Sequence, residues 1–198
     1  MGCSEKKIVY FDRAGVANTK DTFRLAKERM DELGVKKVLI ASDRGTSAIV
    51  ALDYFKPGEI VVVAPMYGLS KPGTNTFKEE NRAILQKNGA TIIHATHVFA
   101  GIDRAINRRY GGITHVQLMA QTFKMLGEGF KVCMEIASMA ADCGAVGVED
   151  EVISIGGTVK GADTAIVIVP SHTNNFFGSQ IKEIICVPRE RCQKPQPL

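Results

Sequence analysis

Short β-branched runs alternate with amphipathic segments along most of the chain, the patterning of an α/β layer fold. Ile8-Val9-Tyr10-Phe11 predicts an opening strand. The next helix has Asn18 or Thr19 as its cap, Phe23, Leu25, Ala26, Met30 and Leu33 at helical spacing, and Gly34 as its stop. Residues 37–41 read as a buried strand. A helix over about 46–54 carries Ile49, Val50 and Leu52 inward, and Pro57-Gly58 turns the chain into a strand over 59–64. Strands this continuously apolar suggest a parallel sheet covered on both faces.

Beyond a Gly/Pro-containing loop at 65–73, Thr76-x-x-Glu79 reads as a capping box. Its helix ends near Asn88-Gly89, and Thr91-Ile92-Ile93 follows as a strand. Residues 103–144 are largely helical, broken at Gly111-Gly112 and near Gly127-Glu128-Gly129, and read as an added helical layer. Strands return at 151–155, 164–169 and 182–187, and the tail after Pro188 is expected to fray. With no linker composition, repeat or low-complexity tract, residues 1–198 read as a single domain.

Composition narrows the function classes. Apolar residues make up 45% and charged residues 23%, as in ordinary globular proteins. The net charge of +4 is too small and dispersed to argue for nucleic acid. No apolar run approaches the roughly 20 residues that span a bilayer. Charged Glu5, Lys6 and Lys7 lead straight into the first strand, so no signal peptide is read there. Lys6 also stands where the myristoylation pattern wants Ser or Thr. The five cysteines include no CxxC; with Cys133 and Cys143 in helical surroundings and Cys186 in a strand, they read as reduced thiols of a cytoplasmic protein.

The strongest local signal is Ile40-Ala41-Ser42-Asp43-Arg44-Gly45-Thr46-Ser47-Ala48, a buried strand running through a hydroxyl-rich turn into a helix. Such a turn presents backbone N–H groups at the positive end of a helix dipole, a setting for phosphate. Ser42, Thr46 and Ser47 supply further donors, and Gly45 lets a ligand approach the backbone. Simple helix capping by the same hydroxyls is the competing reading. Neither a Walker P-loop nor GxGxxG is present; after Gly127-Glu128-Gly129, Val132 occupies the third glycine's place.

With its helix, buried strand, Gly-x-[ST]-Ala turn, helix and post-Pro strand, residues 18–64 resemble the C-terminal domain of pyruvate kinase. The chain resembles still more closely the stand-alone, mostly archaeal pyruvate-kinase-C-terminal-like proteins. Tyr10-Phe11 with Asn18-Thr19, Met139-Ala140-Ala141-Asp142 and Gly161-Ala162-Asp163-Thr164-Ala165 carry that likeness. So do Asn174-Asn175-Phe176-Phe177 and Ile181-Lys182-Glu183-Ile184-Ile185-Cys186. The resemblance implies a three-layer α/β/α sandwich with a mostly parallel sheet and an association with flavin mononucleotide (FMN). In pyruvate kinase the turn matching 42–47 grips a phosphate of a sugar-bisphosphate effector. Pyruvate kinase activity is not implied, because that chemistry belongs to a barrel domain for which this sequence has no room.

Two further clusters complete the candidate site. Gly156, Gly157 and Thr158, with Lys160, follow a strand and would share an edge with the Ser42 turn if the sheet is parallel there. Pro170-Ser171-His172-Thr173-Asn174-Asn175-Phe176 offers amides and aromatics suited to a ring, with Tyr67, Phe99 or Phe176 as its cover. His94 and His97, three apart on a strand, fall on opposite faces and make a poor metal pair. Arg104 and Arg108 share a helix face, read as solvated, and Glu149-Asp150-Glu151 reads as a surface loop.

The expected function is binding of a phosphorylated small molecule, foremost FMN, at the C-terminal ends of the strands, its phosphate on the 42–47 turn helped by Asn18, Thr19 and the 156–161 loop, with flavin-dependent redox chemistry as the first enzymatic guess. The alternative is a non-enzymatic effector-sensing or assembly module, a homo-oligomer that binds a sugar phosphate.

Overall fold

The computed structural model describes residue 3 and residues 5–190. Seven strands form one sheet in the order β1-β7-β6-β5-β2-β3-β4, with β1 Val9–Arg13, β2 Val38–Ala41, β3 Ile60–Ala64 and β4 Thr91–His94. β5 is Val152–Gly156, β6 Thr164–Val169 and β7 Gln180–Glu190. All neighbouring pairs are parallel except those made by β6, which runs against both β5 and β7.

Helices cover both faces. On one lie α1 (Thr19–Leu33), α2 (Thr46–Ala51) and α3 (Glu79–Lys87), which bury Phe23, Ala26, Met30, Ala48, Ala51 and Leu85 against Val38, Ile40, Val62 and Ile155. Full burial of a side chain such as Phe23 contributes on the order of 2–3 kcal/mol. On the other face lie α5 (His115–Lys124) and α6 (Glu128–Asp142), packed on Leu39, Val61, Val63 and Ile166. α4 (Ile102–Tyr110) buries none of its residues. The expected α/β/α sandwich with a mostly parallel sheet is therefore the fold observed. Arg29 of α1 clamps β7, donating from Nε and Nη2 to Glu183 at 2.7 and 2.6 Å.

Several local expectations change. Asn18 stands at the N-cap position of α1, but neither it nor Thr19 caps the helix through its side chain: Asn18 Nδ2 donates to Arg13 O, and the Thr19 hydroxyl donates to Val16 O. Gly34 does end α1, in the left-handed conformation that it reaches without a Cβ clash. Thr76 forms no capping box; its hydroxyl donates to Asp43, and α3 begins later, after Lys78. α2 stops at Ala51 and buries Ala48 and Ala51 most deeply, with Ile49, Val50 and Leu52 only partly covered. β7 carries through Arg189 to Glu190, because β1 pairs with it as far as Arg13↔Glu190; the rest of the tail, like the start of the chain, lies outside the described residues.

Among the described residues no helix is long and apolar enough to cross a membrane. Cys133 and Cys186 are buried, and burial raises both thiols, Cys186 to about 12, whereas Cys143 is exposed. Iodoacetamide labelling of the native protein followed by peptide mass mapping is expected to modify Cys143 and to spare Cys133 and Cys186 until denaturant is added. Labelling of Cys133 without denaturant would show that the α6 layer opens readily.

Candidate functional site

A cavity of about 500 Å³ opens where β2 and β3 end, between the Ser42 turn, the β5–β6 connection and one face of α6. That volume falls within the range of roughly 300–1,000 Å³ typical of small-molecule sites. Ser42, Asp43, Arg44, Ser47, Lys160, His97, Glu128 and Glu135 give it polar lining, and Val63, Leu69, Ile136, Met139 and Val159 give it apolar walls. Such a crevice beyond the carboxyl ends of parallel strands is the usual ligand position in open α/β sheets.

The turn at 42–47 is held from behind by the segment leading into α3. Asn81 Nδ2 donates to Arg44 O at 2.8 Å, and Thr76 Oγ1 to Asp43 Oδ1 at 2.5 Å. This packing explains Gly45: a Cβ there would lie 2.7 Å from Asn81 Cβ and 3.0 Å from Phe77, so the glycine admits α3, not a ligand. No side chain caps α2, which removes the capping reading of Ser42, Thr46 and Ser47. With only six residues, α2 also has a smaller dipole than the sequence suggested. What the turn does offer is the Ser42 hydroxyl, buried in the cavity wall with no hydrogen-bond partner among the described residues.

The β5–β6 connection is organised by Asp163, which is fully buried. Its carboxylate accepts from Gly15 N–H at 3.0 Å, Thr158 N–H at 3.1 Å and the Thr164 hydroxyl at 2.9 Å. Gly161 rests on the first loop, where a Cβ would meet Thr19 Oγ1 at 2.5 Å, and Ala162 N–H donates to the same oxygen at 3.1 Å. Asn18, Thr19, Gly156 and Thr158 thus support the rim and do not line the cavity. The loop turns Gly157, Val159 and Lys160 toward the opening. Val159 is the non-glycine residue with a left-handed φ (63°) among the described residues, an unfavourable conformation for a β-branched side chain.

The third expected cluster does not join the other two. β6 runs antiparallel, so the loop after it emerges at the opposite sheet edge. There His172 Nδ1 lies 3.3 Å from Asp142 Oδ1, Thr173 also binds Asp142, at the end of α6, and Asn174 lies in the same 3-10 turn. Phe99 and Phe176, 5.5 Å apart and edge to face, belong to a core cluster with Phe123 and are not free to cover a ring. Tyr67 is exposed and packs on His94, outside the cavity lining.

The residues that the sequence reading missed sit on α6 and after β4. β4 ends at His94, whose two ring nitrogens meet Arg82 Nη2 at 2.8 Å and Pro65 O at 2.9 Å. His97 lies beyond the strand, in the cavity wall, with Nδ1 3.8 Å from Glu135 Oε2. Lys131 Nζ donates to the same carboxylate at 2.5 Å, and Phe99 N–H to its other oxygen at 2.9 Å. Burial disfavours the Glu135 charge, but His97 and the Lys131 ammonium outweigh it and hold the carboxyl at about 2. The signal in the sequence was Lys131 and Glu135 four apart inside an otherwise apolar helix. Among the described residues no three His, Cys, Asp or Glu side chains cluster as a metal site would require.

Fold and cavity together define a doubly covered α/β domain with a crevice at its strand ends. The model of the family described as "Pyruvate kinase, alpha/beta domain" matches residues 20–168, and the chain belongs to that family.

Removing the Glu135 charge leaves Lys131 buried without its partner, so Glu135→Gln is expected to cost about 3 kcal/mol at pH 7. The carboxyl is lowered from 4.5 on folding, so its contribution is complete above that pH and fades as pH falls toward 2. Urea melts should therefore show the gap to wild type narrowing on acidification; an equal gap at pH 7 and pH 3 would mean that the charge stabilises nothing.

Proposed function

We propose that this cavity binds a phosphorylated small molecule, with FMN the first candidate. The observation that carries the reading is an imbalance of partners inside the cavity. Glu128 is paired with Lys124, Glu135 with Lys131, and Asp43 lies beside Arg44, whereas Lys160 has no carboxylate partner among the described residues. An unpaired lysine and a buried, unpartnered serine hydroxyl suit an anion that brings several acceptor oxygens. The apolar walls suit a ring attached to that phosphate. Ser42, Ser47, Arg44 and Lys160 would hold the phosphate, and a bound flavin would supply redox chemistry that the side chains here lack.

A buried hydroxyl with no partner is a cost to the free protein. Ser42→Ala is therefore expected to leave the melting temperature unchanged or raised, and to weaken FMN binding about tenfold by fluorescence titration. A visible spectrum of the purified protein, with added FMN if it is colourless, precedes that comparison. Failure of FMN to bind wild type removes the flavin reading and makes sugar phosphates the next ligands. A destabilised Ser42→Ala chain with unchanged FMN affinity would make Ser42 a structural residue only.

Self-association is supported by a second observation. Ile102, Ile106 and Tyr110 form one stripe on α4, exposed by 78, 42 and 76%, and Ile113 continues it. A nine-residue helix that buries nothing in its own fold lacks the packing that normally stabilises helices. Asp103 near its start and Arg108 and Arg109 near its end make no ion pair among the described residues, so a second copy crossing antiparallel would match these charges. Sedimentation is expected to report a dimer that Ile106→Glu converts to a folded monomer. A monomeric wild type at the same concentration would contradict this.

A further inference from the structure

Pro65 and Leu69 form part of the cavity wall, and the segment between β3 and α3 that carries them has a base and a tip of unlike character. The base is pinned from several sides. Pro65 O accepts from Asn75 Nδ2 at 2.7 Å and from His94 Nδ1 at 2.9 Å, which holds residues 65 and 75 together. Asn75 Oδ1 takes the Phe77 N–H at 2.8 Å, so its amide faces one way only. Across the His94 ring, Arg82 Nη2 stands 2.8 Å from Nε2. A carbonyl only accepts and a guanidinium only donates, so the ring carries its proton on Nδ1 and accepts at Nε2.

The tip, residues 66–74, is bonded to itself. Gly68 N–H donates to Thr74 O at 2.9 Å, and the N–H and hydroxyl of Thr74 donate to Lys71 O at 3.1 and 2.9 Å. Tyr67, Gly68 and residues 70–74 are exposed. Gly68 and Gly73 turn the chain at φ of 75° and 72°, and a Cβ on either would meet nothing within 4 Å. The tip meets the rest of the fold through Tyr67, 5.4 Å from the His94 ring centre, and through Leu69 in the cavity wall. Lys71 makes no ion pair among the described residues. A compact loop with joined ends and so little packing beneath it can move as one body at small cost.

We infer that residues 66–74 form a lid that swings on the pinned 65–75 base and closes over a phosphorylated ligand, with Leu69 covering it and Lys71 adding a charge. The lid has a use only if the cavity takes a phosphate ester, the reading proposed above. Closure brings the Lys71 ammonium toward the acceptor oxygens of the ligand and excludes water from the mouth of the cavity. A charge that arrives after the ligand has entered acts on escape more than on entry, so the lid slows release.

Relaxation dispersion on the leucine methyls of the full chain tests the motion without ligand. Leu69 is expected to exchange between two states on the microsecond-to-millisecond scale, and the fully buried Leu39 of β2 is not. Saturating FMN is expected to quench that exchange. Stopped-flow release of FMN tests the charge. Lys71→Gln is expected to release FMN about tenfold faster, with an association rate within about twofold of wild type, and Lys71→Arg to restore slow release. Because Lys71 is exposed, both variants should keep the wild-type melting temperature. Leu69 as rigid as Leu39 in the free protein, or release from Lys71→Gln at the wild-type rate, overturns the lid. Failure of FMN to bind wild type removes the flavin reading instead, and the methyls of the free protein then decide: exchange at Leu69 supports the lid, and rigidity overturns it.

Discussion

The cavity depends on one buried carboxylate. Asp163 draws backbone N–H groups from the first loop and from the β5–β6 connection onto one oxygen, and the Thr164 hydroxyl onto the other. The start of α6 approaches the same group so closely that a Cβ on Gly129 would lie 2.7 Å from Asp163 Oδ1. The first loop and the β5–β6 connection are thus fixed relative to one another by hydrogen bonds to a buried carboxylate, where each is worth more than at the surface, and the start of α6 packs against them. Lys160 and Val159 inherit their positions at the rim from this arrangement.

A second buried charge group, Lys131 with Glu135, lies on the opposite wall. Buried ion pairs rarely add stability over an apolar replacement, because desolvation offsets their attraction. Here Glu135 takes the Phe99 N–H at 2.9 Å and so ties α6 to the segment that follows β4. A fold with well-packed cores on both sheet faces leaves unpaired polar groups at the strand ends, where a ligand would satisfy them.

Most of the fold was legible because its hydrophobic periods were clean. Strands 38–41 and 60–64 and the α1 stripe follow directly from apolar spacing. The direction of β6 was not read, although only seven residues separate it from β5, too few for a parallel crossover. That one reversal sends His172 and Asn174 to the far edge. Ser42, Asp43, Arg44, Ser47 and Gly157 line the cavity, whereas Gly45 and Thr46 do not, and the missing Cβ of Gly45 makes room for Asn81 and Phe77. His97 was hidden because β4 ends three residues before it; a strand-based face assignment has no meaning in the loop. Contacts between segments far apart in sequence, such as His97 with Glu135, leave no local pattern to read.

The central claim is that the ligand sits at the joined ends of β2, β3 and β5. Amide hydrogen exchange with and without saturating FMN tests it most directly. The account predicts added protection in residues 42–47 and 157–161 and around His97, with 171–178 unchanged. Protection concentrated in 171–178, with none at the Ser42 turn, would contradict it.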